Sequence, residues 1–204
     1  MTDLSRVLYL LGDPALKRKT VRKSVGEKVA LADNDEVLAY LPERGRTYFV
    51  VGDNPYGSFT VEQYISYNGR LVKGKEWKKA EATAFFRKVL GKRLAFRRKV
   101  GRLSAVQYRA LVLFTLITEK TERVIVNFDG ARFSRGLKRS IERMASALSL
   151  SFDTTVCVTD ERLTSKRAKI KKLEENGGSF IKKDAVSSDL PMFYKGNLRK
   201  ILNL

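Results

Sequence analysis

Histidine is absent from the 204 residues, and cysteine occurs once, as Cys157. Without an imidazole there is no Ser-His or Cys-His pair, and the usual neutral-pH base and commonest metal ligand are both gone. A lone cysteine excludes an internal disulfide and, with no histidine beside it, leaves no ligand set for structural zinc. Cys157 lies inside the apolar run Thr155 to Thr159 and reads as a small buried hydrophobe, suited to a reducing cytosol. Long apolar runs are missing too. Leu8 to Leu11 and Ala110 to Ile117 fall well short of the ~20 residues that a membrane-spanning helix needs. The opening Met-Thr-Asp-Leu-Ser-Arg lacks the basic and apolar regions of a secretion signal. Any chemistry must therefore rest on carboxylates, lysines or a bound nucleotide.

Positive charge is abundant. Lys and Arg number 41 against 22 Asp and Glu, a net +19, and the excess is localised. Arg70 to Arg102 holds thirteen basic and two acidic residues, and Lys166 to Lys200 holds ten and four. These segments contribute +11 and +6, which is +17 of the +19. A field of one sign attracts polyanions: nucleic acid, anionic lipid headgroups or an acidic protein.

The chain is long enough to bury a core, with 43% hydrophobic residues, and one domain is expected. Five short apolar runs read as strands: Val7 to Leu11, Val29 to Ala32, Thr47 to Val51, Val124 to Phe128 and Thr155 to Thr159. They are continuous rather than alternating, as in a parallel sheet covered on both faces. Leu137, Ile141, Met144 and Leu148 recur at helical spacing between the last two runs, which predicts a βαβ unit. The span from Thr60 to Thr118 is helical by pattern. Trp77, Ala84, Phe85, Val89 and Leu90 can share one apolar face there, and Ser104 with Gln107 has the form of a capping box. A basic helix is expected over Ser165 to Glu175, stopped by Asn176-Gly177-Gly178, and a short one near Asn197 to Leu202.

From Leu103 to Leu163 the order is Leu-Ser-Ala-Val-Gln, a helix, Val-Ile-Val-Asn-Phe, a second helix, and Thr-Val-Cys-Val-Thr-Asp. This resembles the C-terminal half of an ABC-type ATPase, the nucleotide-binding subunit of ABC transporters, with its catalytic residues replaced. The resemblance places Ser104 and Gln107 in the signature. Asn127 and Phe128 stand where the Walker B Asp and catalytic Glu would be, Ser134 at the Asp of the D-loop, and Asp160 at the switch. Upstream, Leu10 to Thr20 occupies the place of Walker A. Gly12, Arg18, Lys19 and Thr20 become the candidate phosphate-binding residues, with Ala15 and Lys17 in place of cradling glycines. Gly52 stands at the Q-loop position.

What the resemblance implies is a P-loop NTPase-like, mostly parallel α/β domain over residues 1–165 with a helical subdomain at about 60–118. A basic extension follows over 166–204. Neutral Asn127 is a poor Mg²⁺ anchor and Phe128 can neither orient nor deprotonate water, so no catalytic residue and no metal site is expected. ATP binding is left open. Family members pair head to tail, which implies a homodimer or a heterodimer with an active ATPase subunit, a transmembrane partner, and a place on the cytoplasmic side of the membrane. A different reading rests on charge alone: the basic segment Arg70 to Arg102 interleaves Trp77, Phe85, Phe86 and Phe96, as a nucleic-acid-binding protein would for phosphate contact and base stacking.

Overall fold

The computed structural model describes residues 4, 6–24, 29–32, 36–41, 45–50, 57–73, 77–119, 121–165, 168–173 and 179–181. The chain runs β1 (Val7–Gly12), α1 (Pro14–Ser24), β2 (Val29–Ala32), β3 (Glu36–Leu41), β4 (Gly45–Val50), α2 (Val61–Lys73), α3 (Lys79–Leu90), α4 (Ala105–Leu116), β5 (Arg123–Asn127), α5 (Arg135–Ser149), β6 (Thr154–Val158), β7 (Lys169–Leu173) and β8 (Ser179–Ile181). Six strands form one sheet in the order β2-β5-β6-β1-β7-β8, parallel except for the antiparallel β8 at one edge. Strands β3 and β4 make a separate antiparallel pair. The β5–α5–β6 unit joins neighbouring parallel strands, as the helical spacing between the two apolar runs predicts.

The two faces of the sheet are covered unequally. Tyr9, Leu11, Ala30, Val124, Val126 and Cys157 face the larger core, which takes in residues of α2, α3, α4 and α5. Their sequence neighbours Leu8, Leu10, Leu31, Ile125, Val156 and Val158 face the smaller core with Leu16 and Val21 of α1. Successive side chains along a strand point to opposite faces, so apolar residues at every position are what a sheet covered on both sides requires. Buried between the layers, Cys157 has its thiol pKa pushed up to about 12 and the phenol of Tyr9 is pushed up further, both chiefly by desolvation.

Helix α4 is buried at nearly every position from Val106 to Leu116, which is why it shows little one-sided patterning. Its start carries the expected capping box: Ser104 Oγ accepts from the Gln107 amide at 3.3 Å, and Gln107 Oε1 accepts from the Ser104 amide at 3.0 Å. A second box starts α2. There Thr60 Oγ1 accepts from the Gln63 amide at 3.2 Å and Gln63 Oε1 from the Thr60 amide at 2.8 Å.

Three expectations need correction. Lys169 to Leu173 lies in a parallel strand beside β1, not in a basic helix; burial of Ile170 and Lys171 against the sheet outweighs local helical preference. Lys171 is so enclosed that burial pushes its ammonium pKa down. The run from Thr47 joins the β3–β4 pair, not the parallel sheet. On α3 the buried positions are Ala82, Phe86, Val89 and Leu90, whereas Ala84 is exposed. Val51, Gly52, the residues after Leu173 except Ser179–Ile181, and the expected helix near Asn197 lie outside the described residues.

Candidate nucleotide edge and signature helix

In an open parallel sheet, ligands gather beyond the carboxyl ends of the strands. Here that edge is built from the residues following β1, β5 and β6. Gly12 ends β1 at φ 124°, a conformation that favours glycine. Asp13 follows, and its Oδ1 accepts from the amides of Ala15 at 2.8 Å and Leu16 at 3.1 Å. Pro14 opens α1, where its fixed φ and missing N–H cost nothing. Strand therefore passes into helix across one residue, and the free amides of the first turn are taken by Asp13. Arg18, Lys19 and Thr20 sit on the second turn of α1; Arg18 and Lys19 are exposed and Thr20 is half-buried.

Lys17, one residue earlier on the helix, is the cation that reaches the edge. It is buried, and its Nζ donates to Asp129 Oδ1 at 2.6 Å and lies 3.4 Å from the Thr159 carbonyl. The ion pair links α1 to the loops after β5 and β6, with side-chain exposures of 3% for Lys17 and 16% for Asp129. Asp129 is held in turn by the strand end before it, where Asn127 Oδ1 accepts from the Asp129 amide at 2.8 Å. Gly130 then takes φ 72° to turn the chain, and Ser134 caps α5 by accepting from the Leu137 amide at 3.0 Å.

Phe128 is fully buried and faces the larger core. The guanidinium of Arg109 lies over its ring, 4.6 Å from the centroid, and Arg109 is itself fully buried. Arg109 Nε donates to the Asn127 carbonyl and Nη1 to the Ala105 carbonyl at 3.0 Å. The first turn of α4 and the end of β5 are thus joined through one side chain. Ser104 is exposed at the start of α4, and Gln107 is buried beneath it. Asp160 is exposed, ahead of a single 3-10 turn at Glu161–Leu163.

Of the residues singled out from sequence, Gly12, Asn127 and Asp160 all fall at the ends of adjacent parallel strands β1, β5 and β6. Of the residues that hold this edge together, the sequence offers Lys17 only as a replaced glycine and singles out neither Arg109 nor Asp129. Two left a signal. Arg109 is the single charged residue in the otherwise neutral α4, and Asp129 is the carboxylate next to the Asn127-Phe128 pair. Among the described residues no cluster of acidic residues and Cys could hold a metal ion, and no helix is long and apolar enough to cross a membrane.

No protein-family model and no curated protein matches the sequence. Solved structures do match in shape. One is a transporter described as of the metal-chelate ABC type, in an inward-facing conformation. It has a TM-score of 0.54 at 14% identity over 88% of this chain and 71% of that one. An ATP-binding subunit of an ABC transporter gives 0.53 at 14% identity, over 88% and 80%. The ADP conformation of an ATP-binding cassette of an ABC transporter gives 0.50 at 13%, over 82% and 76%. The mostly parallel sheet with helices on both faces is therefore an α/β fold like that of the ABC ATPases, P-loop NTPase-like in architecture.

Proposed function

We propose that this protein is a non-catalytic or severely impaired ABC-type subunit that works by association with a second ATP-binding chain or a membrane subunit. The observation that carries this reading is the Lys17–Asp129 ion pair. A P-loop binds phosphate because freed backbone amides and an uncommitted ammonium face the anion. At this edge the helix amides are capped by Asp13, and the enclosed ammonium already has a carboxylate at 2.6 Å. A polyphosphate approaching it would meet the charge of Asp129. The residues present do not fit the phosphates of ATP, and Phe128 supplies no base. In this reading the exposed Ser104, at the start of a firmly anchored α4, faces a partner's intact phosphate loop. Homodimer and heterodimer are both compatible with it, as is a place on the inner face of the membrane beside a transmembrane partner.

Calorimetry with Mg²⁺–ATP, followed by phosphate-release assay on the same sample, tests the first half. Neither binding nor turnover is expected, and salt-resistant binding or any turnover by the purified chain would overturn it. Association is tested by a photo-crosslinking residue in place of Ser104, introduced in the native cell. Adducts to a second copy or to an ATP-binding chain are expected; their absence counts against this surface.

A further inference from the structure

Exposed basic residues of α5 adjoin those at the end of α3. On α5, Arg135, Arg139 and Arg143 are exposed and four residues apart, so they line one side of the helix at steps of about 6 Å. The row runs directly into the end of α3. Arg143 Nη1 is 3.5 Å from the Leu90 carbonyl, and Gly91 leaves the space that the Arg143 side chain fills: a Cβ there would lie 2.6 Å from Nη1. Gly91 caps α3 at φ 69°, and Lys92 and Arg93 follow, both exposed. From Lys78 to Arg102 there are ten basic residues and one acidic residue, and all eleven are exposed. None of the ten makes an ion pair with another described residue. On α5, Glu142 is half-buried beside the arginine row.

The chemistry of this surface separates the polyanions. Trp77 stacks on Phe96 at 5.6 Å, Phe85 packs on Phe114 at 5.5 Å, and Phe86 is fully buried. The aromatics interleaved with the charges are therefore spent on packing, and none is offered to stack on an unpaired base. No large apolar residue is exposed between Lys78 and Arg102, and the exposed Phe133 and Leu150 stand at opposite ends of α5 instead of forming one face. An interfacial helix inserts an apolar face into lipid, and α3 has already buried its own. What remains is a line of cations on a helical backbone, stepped by about 6 Å, of the order of the distance between neighbouring phosphates of one duplex strand.

We infer that the α5 arginine row and the α3 terminus form a sequence-independent surface for double-stranded nucleic acid, gripping phosphates and leaving the bases unread. The inference rests on charge and packing and is independent of the fate of the nucleotide edge.

Fluorescence anisotropy of a 30-bp labelled DNA duplex, an RNA duplex and a single strand of matched length, titrated across salt, tests it. Duplex affinity should fall steeply, with log K against log salt sloping at about −4 or steeper, near −0.9 for each phosphate contact. The preferred duplex identifies the source. The variant Arg135→Gln/Arg139→Gln/Lys92→Gln/Arg93→Gln should bind at least about tenfold more weakly at fixed salt, and its slope should flatten by about 3.6. Matched charge loss at Arg6→Gln/Arg162→Gln/Lys169→Gln/Lys172→Gln, all exposed and outside α3 and α5, should change affinity far less. Should the fourfold variant lose the parent's circular dichroism spectrum, Lys92→Gln/Arg93→Gln is read in its place. Four results would overturn the inference: no duplex binding at 50 mM salt, tighter binding of the single strand, a fourfold variant equal to the parent, or capture by phosphatidylserine vesicles without duplex binding.

Discussion

The edge beyond β1, β5 and β6 and the start of α4 are neighbours joined by Arg109, yet they are built on opposite plans. At the edge, polar groups satisfy one another: Asp13 caps its own helix, Asn127 holds the Asp129 amide, and Asp129 neutralises Lys17. At α4 the capping box leaves the Ser104 side chain at the surface while the helix behind it is buried almost throughout. On the first surface the charge of the buried Lys17 is turned inward, onto a carboxylate. The second keeps a polar start on a rigid support, the form a contact surface takes.

Breaking the joint should have the largest effect. Arg109→Ala removes a fully buried side chain, its stacking on Phe128 and its bonds to two carbonyls, and should cost about 3–4 kcal/mol in urea denaturation. Breaking the edge alone comes next. Asp129→Ala leaves the Lys17 ammonium enclosed without its carboxylate and should cost about 2–3 kcal/mol, the solvent access of Asp129 moderating the loss. The double change Lys17→Met/Asp129→Leu should recover most of it, since stranding one charge is worse than having none. A double-mutant cycle without coupling would mean that the pair does not hold the edge.

A pH experiment measures the sheet beneath both surfaces. Folded Cys157 keeps its proton to about pH 12, whereas the unfolded thiol releases it near 9. The native state thus binds more protons in that window. The thiol's contribution is intact below pH 9 and should fall as pH rises, by about 1.4 kcal/mol per unit once above it. Stability against pH should decline more steeply for the parent than for Cys157→Ala, and the native thiol should resist alkylation at pH 9. The smallest change sharpens the α4 side: Ser104→Ala should cost about 1 kcal/mol and Ser104→Gly a few tenths, read by thermal melting.

The strands legible in the sequence were those whose environment is uniform. A parallel strand between two layers is apolar at every position, so Val29 to Ala32 could be bounded without reference to its neighbours. Lys169 to Leu173 could not, because its place depends on pairing with β1, more than 150 residues away in the chain. The α4 capping box was legible because it is a local bond between residues three apart. Lys17 with Asp129 was not, since the two are 112 residues apart and meet only when α1 and the loop after β5 converge. A motif alignment weighs Lys17 as a lost glycine; only folding reveals it as a cation with a partner.

Gly91 makes one more point about the basic surface. With Arg143 seated against its bare backbone, the end of α3 and the middle of α5 are locked in register before anything docks on them. The backbone carrying the cations is therefore preorganised, and a docking duplex would sacrifice little conformational entropy beyond that of the outer side chains. Alanine at this position would have to adopt φ 69° and displace the guanidinium, parting the end of α3 from the arginine row of α5.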